Sequence, residues 1–364
     1  AGKSVMFQVP AIYLAEKYEY LTIIISPLIG LMKDQVYNLQ EKNVKFCATI
    51  NSEISPVEKA NIADRIANKE ISILYISPET LLSRADISAL IGTREIGLFI
   101  IDEAHIVTTW GKAFRADYWY LGDYLQKLRR GKTYNKEEQG GLKTKHYFPI
   151  ATFTATAIYG GVEDMYAETR DSLILNNPIN YFGYVKRDNI DVSVNQINSS
   201  SIEDEVKRNE KEYLKLKHLC LLRQIEHELE QNHKVLVYFP LISSIFSFKE
   251  YLERKASSDL LNVIATYYGR LRKEEKNENF LRFKDGNSKI MLATKAFGMG
   301  IDIPDIDTVL HFAPTGNVCD YVQEIGRAAR GLPVGLASFT FLKEDFKHVN
   351  RLHGISTIKK YQLI

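Results

Sequence analysis

Short apolar runs alternate along the chain with longer segments whose apolar residues recur at helical spacing. This alternation is typical of a parallel α/β architecture, because strands covered by helices on both faces are almost continuously apolar. In the first half of the chain, such runs predict strands at residues 21–26, 45–50, 71–76, 97–102 and 149–154. In the second half, they predict strands at residues 234–239, 262–267, 289–293, 308–312 and 336–341. We therefore expect an α/β protein of two lobes, each a mostly parallel sheet flanked by helices.

The periodic pattern is interrupted between these two series of strands. A polar run, Gln196-Ile197-Asn198-Ser199-Ser200-Ser201, is followed by charged residues, which is typical of an interdomain linker. We predict a first lobe at residues 1–195, a linker at 196–212, a second lobe at 213–345 and the start of a C-terminal extension at 346–364. The polar segment at residues 131–145 predicts an exposed insertion in the first lobe.

Composition narrows the class of protein without identifying a partner. The 364 residues suit two domains, and 45% hydrophobic with 25% charged residues is typical of a globular chain. A net charge of +2 neither indicates nor excludes nucleic acid. The cysteines Cys47, Cys220 and Cys319 are too few and too far apart for a disulfide framework or a zinc site, and favour an intracellular, reducing compartment. No apolar run approaches the roughly 20 residues that span a bilayer, so we expect no membrane association.

The chain opens with Gly2-Lys3-Ser4, directly before a segment of helical period. At the end of a phosphate-binding loop, backbone N–H groups face the phosphates, the lysine reaches the β and γ phosphates and the serine hydroxyl binds Mg²⁺. The three residues are therefore candidate ATP ligands, with Ser4 on the metal. Because the glycine that stands earlier in such loops is not in this chain, we expect further sequence upstream.

A pair of acids, Asp102 and Glu103, follows the apolar run at residues 98–101. Ligands bind at the carboxyl ends of strands in open α/β sheets. Phosphoryl transfer from ATP to water needs one carboxylate on Mg²⁺, the role predicted for Asp102, and a second acid to polarise the water, the role predicted for Glu103. The alternative is that both acids cap the next helix. Thr154 closes another apolar run, where its hydroxyl either bridges the ATP site to the other lobe or to nucleic acid, or is an ordinary helix cap.

The second half carries cationic candidates between Gln323 and Gly331. Arg327 and Arg330 are spaced to lie on one helical face, and arginine's forked donors suit a γ-phosphate. The alternative is a solvated basic helix. A glycine-rich turn with Gly300 and Asp302 precedes this segment, which favours a nucleotide bound between the two lobes.

Together these motifs resemble superfamily 2 helicases, and further segments narrow the resemblance to the RecQ family of DNA helicases. The additional segments are Ser26-Pro27-Leu28-Ile29-Gly30-Leu31-Met32-Lys33-Asp34-Gln35-Val36, Tyr75-Ile76-Ser77-Pro78-Glu79, Trp110-Gly111-Lys112-Ala113-Phe114-Arg115 and Ala296-Phe297-Gly298-Met299-Gly300-Ile301. They occur in the family's order across about residues 1 to 345.

The resemblance implies two RecA-like lobes that close on ATP and Mg²⁺ and move 3′-to-5′ along single-stranded DNA. It assigns strand contacts to Ser26, Pro27, Leu28, Ser77, Pro78, Glu79 and Thr294. It assigns the coupling of DNA contact to hydrolysis to Trp110, Phe114 and Arg115, whose aromatic and cationic side chains suit stacking and phosphate contact; the alternative for both aromatics is a place in the core. Finally, it makes Arg330 the arginine finger, with Arg327 and Gln323 beside it at the phosphates.

Several positions depart from the family pattern. Thr109 stands where the family usually has Gln, Lys112 where His is common and Asp302 where Asn is frequent, so coupling is expected to be weaker or arranged differently. The family's zinc module and winged-helix wedge are not in this chain. Three alternatives to a duplex-unwinding DNA helicase therefore stay open: a translocase or remodeller, an RNA-directed helicase and a scaffold that has lost catalysis.

Overall fold

The computed structural model describes residues 2–83, 90–105, 120–131, 148–154, 159–160, 164–183, 187–197, 210–298, 301, 303–316, 318–342 and 344–346. The chain divides into two compact units, Ala1–Tyr181 and Phe182–Ile364. Each unit is built on its own sheet, and every strand pair in both sheets is parallel. The described helices include none that combines the length and apolar character needed to cross a bilayer.

The first unit is a five-stranded sheet in the order β2-β3-β1-β4-β5 with helices between its strands. Its described elements are α1 (Lys3–Tyr18), β1 (Leu21–Ile25), α2 (Ile29–Glu41), β2 (Cys47–Ile50), α3 (Pro56–Ala67), β3 (Ile73–Ile76), α4 (Pro78–Ser83), β4 (Ile96–Ile101), α5 (Leu121–Gly131), β5 (Ile150–Thr152) and α6 (Met165–Ser172). Because all the strands are parallel, the residues that follow β1, β3, β4 and β5 gather at one edge of the sheet. This edge is the carboxyl edge of the first sheet.

Apolar packing fixes the strands and α1 relative to one another. All five residues of β1 are buried, as expected for a central strand with helices on both faces. On α1, Phe7 and Ala11 are buried one turn apart, and they belong to a core cluster with Tyr75 of β3 and Ile100 of β4. This packing holds the first turn of α1, which carries Lys3 and Ser4, on the same unit as the ends of β3 and β4.

The second unit is a six-stranded sheet in the order β6-β11-β10-β7-β9-β8. Its described elements are β6 (Ile190–Gln196), α7 (Glu210–Glu230), β7 (Val235–Tyr238), α8 (Ile242–Lys255), α9 (Ser258–Asn262), β8 (Ile264–Tyr267), α10 (Lys273–Lys284), β9 (Ile290–Ala293), β10 (Thr308–His311), α11 (Val318–Ile325) and β11 (Gly335–Phe341). The inner strands β7, β9 and β10 are buried throughout. The ten predicted strands all occur, with ends that differ by a few residues at most.

The boundary between the lobes differs from the predicted one at residue 195. The division falls between Tyr181 and Phe182, and β6 belongs to the second sheet, where it pairs with β11 along its whole length. Only Ile190 of β6 is buried, because the strand lies at the sheet edge and alternates polar with apolar residues. Helix α7 begins at Glu210, inside the predicted linker, of which residues 198–209 lie outside the described part. Most of the predicted insertion and almost all of the predicted C-terminal extension also lie outside it.

We predict that His218 makes the second unit sensitive to acid. Its ring lies 5.4 Å from that of Phe248, 5.2 Å from Tyr251 and 5.8 Å from Phe312, and burial lowers the pKa of His218 to about 4. Since an unfolded histidine titrates near 6.5, the unfolded state takes up the proton first as the pH falls. Stability is therefore lost from about pH 6.5 downward, by on the order of 1 kcal/mol at pH 5.

Thermal melting at pH 7 and pH 5 measures this effect. The variant His218→Phe keeps an aromatic ring at the site but has no proton to take up, so its melting temperature is expected to fall less between the two pH values. His227→Phe, which alters a histidine elsewhere on α7, is the matched control and should keep the wild-type pH response. Equal losses in His218→Phe and wild type would contradict the prediction.

Candidate functional site

The N-terminus of α1 presents backbone donors beside two charged or polar side chains. Gly2 precedes the helix with a φ of 90°, a left-handed conformation that favours glycine. The N–H groups of Val5 and Met6 both point to the Gly2 carbonyl, at 3.1 and 3.3 Å. The first residues of a helix have no acceptors for their N–H groups within it, so this end of α1 attracts an anion. Lys3 and Ser4 therefore stand where phosphate groups would bind.

Lys3 forms ion pairs with both acids that follow β4. Its Nζ lies 3.0 Å from Asp102 Oδ1 and also contacts the carboxylate of Glu103. The Asp102 side chain is buried, and its Oδ1 accepts a hydrogen bond of 2.9 Å from the Glu103 N–H. Glu103 has a φ of 51°, which is unusual for a residue with a side chain and is typical of functional turns. Residues far apart in sequence thus form one cluster at the carboxyl edge of the first sheet.

The electrostatics of this cluster favour a cationic ligand. Burial acts to lower the pKa of Lys3, but the negative charges of Glu103 and Asp102 outweigh it, and the pKa of Lys3 is raised overall. Burial raises the pKa of Asp102 in spite of the attraction to Lys3. One ammonium therefore faces two carboxylates, and a metal ion carried by a triphosphate would supply the charge that these acids lack.

The hydroxyl of Ser4 belongs to a chain of side-chain hydrogen bonds. Gln35 Nε2 donates to Ser4 Oγ at 3.1 Å, and Gln8 Nε2 donates to Gln35 Oε1 at 2.5 Å and to the Tyr75 hydroxyl at 3.3 Å. Neither Gln8 nor Gln35 has a role predicted from the sequence. The sequence feature that could have pointed to Gln8 is its position one helical turn after Ser4, on the same face of α1. This series of hydrogen bonds fixes the orientation of the Ser4 hydroxyl, which is a predicted ligand of Mg²⁺.

His105 connects the acid pair to the end of β5. Its Nδ1 lies 2.9 Å from Thr154 Oγ1 and 3.3 Å from Glu103 Oε2. Of the two interpretations of Thr154, this contact favours a link to the nucleotide site. The contact of Thr154 with His105 was not predicted from the sequence, since their proximity depends on the pairing of β4 with β5.

The donor set fits Mg²⁺. This ion prefers hard oxygen ligands, and it is usually held by one or two protein groups together with substrate phosphates. The Ser4 hydroxyl on α1 and the Asp102 carboxylate after β4 are oxygen donors of this kind. The ion pairs of Lys3 with Asp102 and Glu103 hold the start of α1 beside the end of β4. Ser4 and Asp102 are therefore the residues that would hold the metal.

The predicted strand-binding residues of the first lobe lie after β1 and β3, which are neighbours in the sheet. Ser26 is buried, and its Oγ makes no hydrogen bond to the residues that the structure describes. Ser77 Oγ lies 2.8 Å from Thr80 Oγ1 and its N–H bonds to the Ile50 carbonyl. The prolines Pro27 and Pro78 are also buried, whereas Leu28 and Glu79 are partly exposed. A strand at this edge would thus meet mainly backbone groups together with the side chains of Leu28 and Glu79.

In the second unit, the two predicted arginines do not lie on one helical face. Helix α11 ends at Ile325, and Arg327 and Arg330 lie in the turn that follows, because Gly326 and the left-handed Ala329 (φ 47°) end the helix. The helical-face prediction was therefore wrong. The guanidinium groups still converge, since Arg327 Nη1 and Arg330 Nη1 lie 2.6 and 3.3 Å from the Ile301 carbonyl oxygen. Arg327 is buried and Arg330 is exposed.

The remaining predicted residues divide between this unit and the part not described. Gln323 lies on α11, and Thr294 directly follows β9 with its N–H bonded to the Tyr267 carbonyl at 3.1 Å. The other five lie outside the described residues: Trp110, Phe114, Arg115, Gly300 and Asp302.

Each of the two units contains a match to a known protein family. Residues 1–165 match the DEAD/DEAH box helicase family, and residues 215–331 match the helicase conserved C-terminal domain. The first match contains Lys3, Asp102 and Glu103. The second contains Arg327 and Arg330.

Similar proteins include helicases from bacteria and a virus. The chain is 29% identical over 335 residues to the ATP-dependent DNA helicase RecQ of Synechocystis sp., covering 91% of this chain and 60% of that protein. It is 29% identical over 329 residues to the probable ATP-dependent DNA helicase RecS of Bacillus subtilis, covering 90% and 56%. A putative ATP-dependent RNA helicase of Acanthamoeba polyphaga mimivirus is 30% identical over 335 residues, with 91% and 51% covered. The chain thus spans about half to three fifths of the length of these relatives.

Solved structures confirm the fold. Dbp5 from S. cerevisiae bound to RNA and ADP BeF3 aligns with a TM-score of 0.63 and 17% identity, covering 99% of this chain and 80% of that one. The DUF1998 helicase MrfA bound to DNA and AMPPNP aligns with a TM-score of 0.70 and 14% identity, covering 98% and 47%. These identities support the fold alone. The prediction of two RecA-like lobes with mostly parallel sheets is confirmed.

Proposed function

We propose that this chain, which matches the DEAD/DEAH box helicase family and the helicase conserved C-terminal domain and is similar to RecQ helicases, is the core of an ATP-dependent DNA helicase. In this proposal, ATP hydrolysis drives 3′-to-5′ movement on single-stranded DNA and unwinding of the duplex. The observation that carries the proposal is the cluster of Lys3 with Asp102 and Glu103 beside the N-terminus of α1.

Hydrolysis at this cluster needs an attacking water, a charge clamp and a proton acceptor. The N-terminus of α1 and Lys3 would bind the phosphates, and Ser4 and Asp102 would hold Mg²⁺, which supplies positive charge to the phosphate oxygens when bound. Glu103 orients the water and accepts its proton as the oxygen bonds to the γ-phosphorus and the bond to ADP breaks. His105 bonds to Glu103 and Thr154 and keeps the glutamate in place.

The second lobe supplies cationic groups in this proposal. Arg330 stabilises the charge that develops on the γ-phosphate, and Arg327 and Gln323 act beside it. The exposure of Arg330 supports its role as the residue that reaches the phosphate, and the burial of Arg327 supports a fixed, orienting role. Gly300 and Asp302 complete the predicted nucleotide contacts.

The proposed DNA track lies at the carboxyl edge of the first sheet and includes Ser26–Leu28 and Ser77–Glu79, with Thr294 in the second lobe. Contacts to the strand backbone position a nucleic acid without reading its sequence, and they do not by themselves select DNA over RNA. Two relatives named as DNA helicases favour DNA, and one named as a putative RNA helicase makes RNA the second candidate.

Trp110→Ala is expected to leave basal ATP hydrolysis unchanged and to remove most of its stimulation by single-stranded DNA. A base stacked on an aromatic side chain contributes about 1–3 kcal/mol, which is roughly a 5- to 150-fold loss of affinity for the strand. The measurement is the rate of phosphate release as a function of DNA concentration. Tyr18→Ala is the control, because Tyr18 is an exposed aromatic at the opposite end of α1 from Lys3. A wild-type stimulation ratio in Trp110→Ala would remove this residue from the DNA site.

ATP hydrolysis by the purified protein, alone and with single-stranded DNA, single-stranded RNA or duplex DNA, tests the proposed function. Stimulation by single-stranded DNA supports it, and unwinding of duplexes with a 3′ or a 5′ single-stranded tail then tests polarity. Stimulation by RNA alone would make RNA, and not DNA, the nucleic acid on which the protein acts. Stimulation by DNA without unwinding of either duplex would favour a translocase. No hydrolysis under any condition would contradict the proposal.

A further inference from the structure

The turn that carries both arginines is held by side chains from a distant part of the second unit. We call residues 326–331 the arginine turn. Arg187, shortly before β6, donates from Nη1 to the Gly326 carbonyl at 3.2 Å and from Nη2 to the carbonyls of Ala328 and Ala329 at 2.8 and 3.1 Å. Asn189 Nδ2 donates to the Ala329 carbonyl at 2.9 Å and to that of Leu332 at 3.3 Å.

The side chains of Arg187 and Asn189 also form a hydrogen bond with each other. Arg187 Nε donates to Asn189 Oδ1 at 3.1 Å, so the guanidinium group uses its Nε and both Nη atoms in these contacts. A planar guanidinium with donors in a fixed fork can hold several carbonyls at once, which an ammonium group on a flexible stem does less well. The contact is therefore specific for arginine at position 187.

The arginine turn needs such donors because its backbone is irregular. Helix α11 ends at Ile325, and the carbonyls of Gly326, Ala328 and Ala329 that follow it accept hydrogen bonds from Arg187 instead of continuing the helical pattern. Ala329 adopts a φ of 47°, a conformation that persists only where the surroundings hold it. Gly331 packs so closely that a Cβ there would lie 2.9 Å from Pro304 Cβ. Arg187 and Asn189 both bond to the carbonyl of the strained Ala329.

The backbone carbonyls that accept from Arg187 all belong to the arginine turn and not to the sheet. The adjoining β6 pairs with β11 along its whole length through backbone hydrogen bonds, so the sheet does not depend on the Arg187 side chain. Arg327 and Arg330 are part of the same turn, and both guanidinium groups reach the Ile301 carbonyl. Movement of the turn would displace both groups together.

We propose that Arg187, assisted by Asn189, is a positioning residue for ATP hydrolysis, which sets the place of Arg330 and Arg327 without contacting the nucleotide. This inference rests on the proposed function. Arg187 also lies shortly beyond Tyr181, where the chain passes from the first unit to the second.

The expected result for Arg187→Ala is a fall in kcat for ATP of about 10²-fold, because a displacement of about 1 Å at a catalytic group costs this much. The KM for ATP should stay within a few-fold of wild type, since the phosphate loop is on the other unit. Arg187→Lys should recover part of the rate, and Asn189→Ala should lose less than Arg187→Ala. Arg254→Ala, an exposed arginine paired with Glu250 on α8, is the matched control and should turn over ATP like wild type.

A double-mutant cycle separates positioning from general destabilisation. If Arg187 acts through Arg330, Arg187→Ala should cost much less in an Arg330→Ala background than in wild type. Single-turnover hydrolysis of radiolabelled ATP with enzyme in excess measures the slow variants. Thermal melting of each variant reports its folding, and Arg187→Lys carries the same cycle if Arg187→Ala does not fold.

Two outcomes would overturn the inference: wild-type kcat in Arg187→Ala, or the same fold loss in both backgrounds. Either result leaves the proposed function standing, provided that wild type hydrolyses ATP and Arg330→Ala does not. Absence of hydrolysis by wild type contradicts the proposed function itself. The two failures are therefore distinguishable in one set of assays.

Discussion

Glu103→Gln is expected to lower the rate of ATP hydrolysis by about 10²- to 10⁴-fold while ATP still binds. The amide keeps the size of the carboxyl group but cannot accept the proton of the attacking water. Its neutral charge also removes one of the two negative partners of Lys3, which leaves Lys3 paired with Asp102 alone. Lys3 is then less neutralised for contact with the phosphates, so ATP affinity should be kept or increased. Phosphate release measures hydrolysis, and titration with a fluorescent ATP analogue measures binding.

Two further variants make this result specific. Lys3→Ala removes the ammonium that contacts the phosphates, so it should lose both hydrolysis and ATP affinity. Glu16→Gln makes the same chemical change at an exposed position of α1 and should behave like wild type. Normal turnover in Glu103→Gln would show that another group accepts the proton, and loss of binding in that variant would show that Glu103 acts on affinity instead of chemistry.

Arg330→Ala is expected to lower kcat by about 10³-fold or more, which is the contribution of an arginine finger in phosphoryl transfer. Arg330 is exposed, and its hydrogen bonds to Gly326 and Ile301 run to backbone carbonyls at 3.4 and 3.3 Å, which are long contacts that a phosphate could replace. Because the finger acts on charge that develops during the reaction, the KM for ATP should change little. Steady-state kinetics over a range of ATP concentrations measures both constants.

Arg223→Ala is the matched control for Arg330→Ala, since Arg223 is an exposed arginine of the same unit on α7. Lysine at position 330 should restore little, because its single ammonium group lacks the fork that two phosphate oxygens require. Turnover close to wild type in Arg330→Ala would remove this residue from the finger role and leave Arg327 as the candidate.

The parts of the fold that sequence predicted are those in which burial dominates. The inner strands of both sheets are covered on two faces, so their apolar runs stand out directly in the chain. Strand β6 differs, because only Ile190 is buried and the remaining residues alternate at an exposed edge. This strand was not predicted, because a polar edge strand has no continuous apolar run, and the predicted boundary at residue 195 followed from the polar run at residues 196–201 that comes next. Only its pairing with β11 assigns it to the second sheet.

The candidate site likewise has contacts that could be predicted from the sequence and contacts that could not. The proximity of Lys3 to Asp102 and Glu103 was predictable, because a phosphate-binding helix N-terminus and the carboxyl ends of parallel strands meet at one edge of such a sheet. The contacts of Arg187 and Asn189 were not predictable, since they depend on the path of an irregular turn and connect residues far apart in the chain. Helical spacing suggested a continuous helix through Arg327 and Arg330, but backbone conformation at Ala329 decided otherwise.

The strand order of the second sheet determines when that sheet can be completed during synthesis. Among the strands that the structure describes in this unit, β6 is the first to leave the ribosome and β11 is the last, yet β6 lies at the sheet edge and pairs with β11. Until β11 emerges, β6 has no partner and the edge of β10 is open, and unpaired edges are templates for aggregation. Strand β6 therefore lacks its partner through most of the translation of the second lobe, whereas the edge of β10 is open only between the synthesis of residues 308–311 and that of residues 335–341.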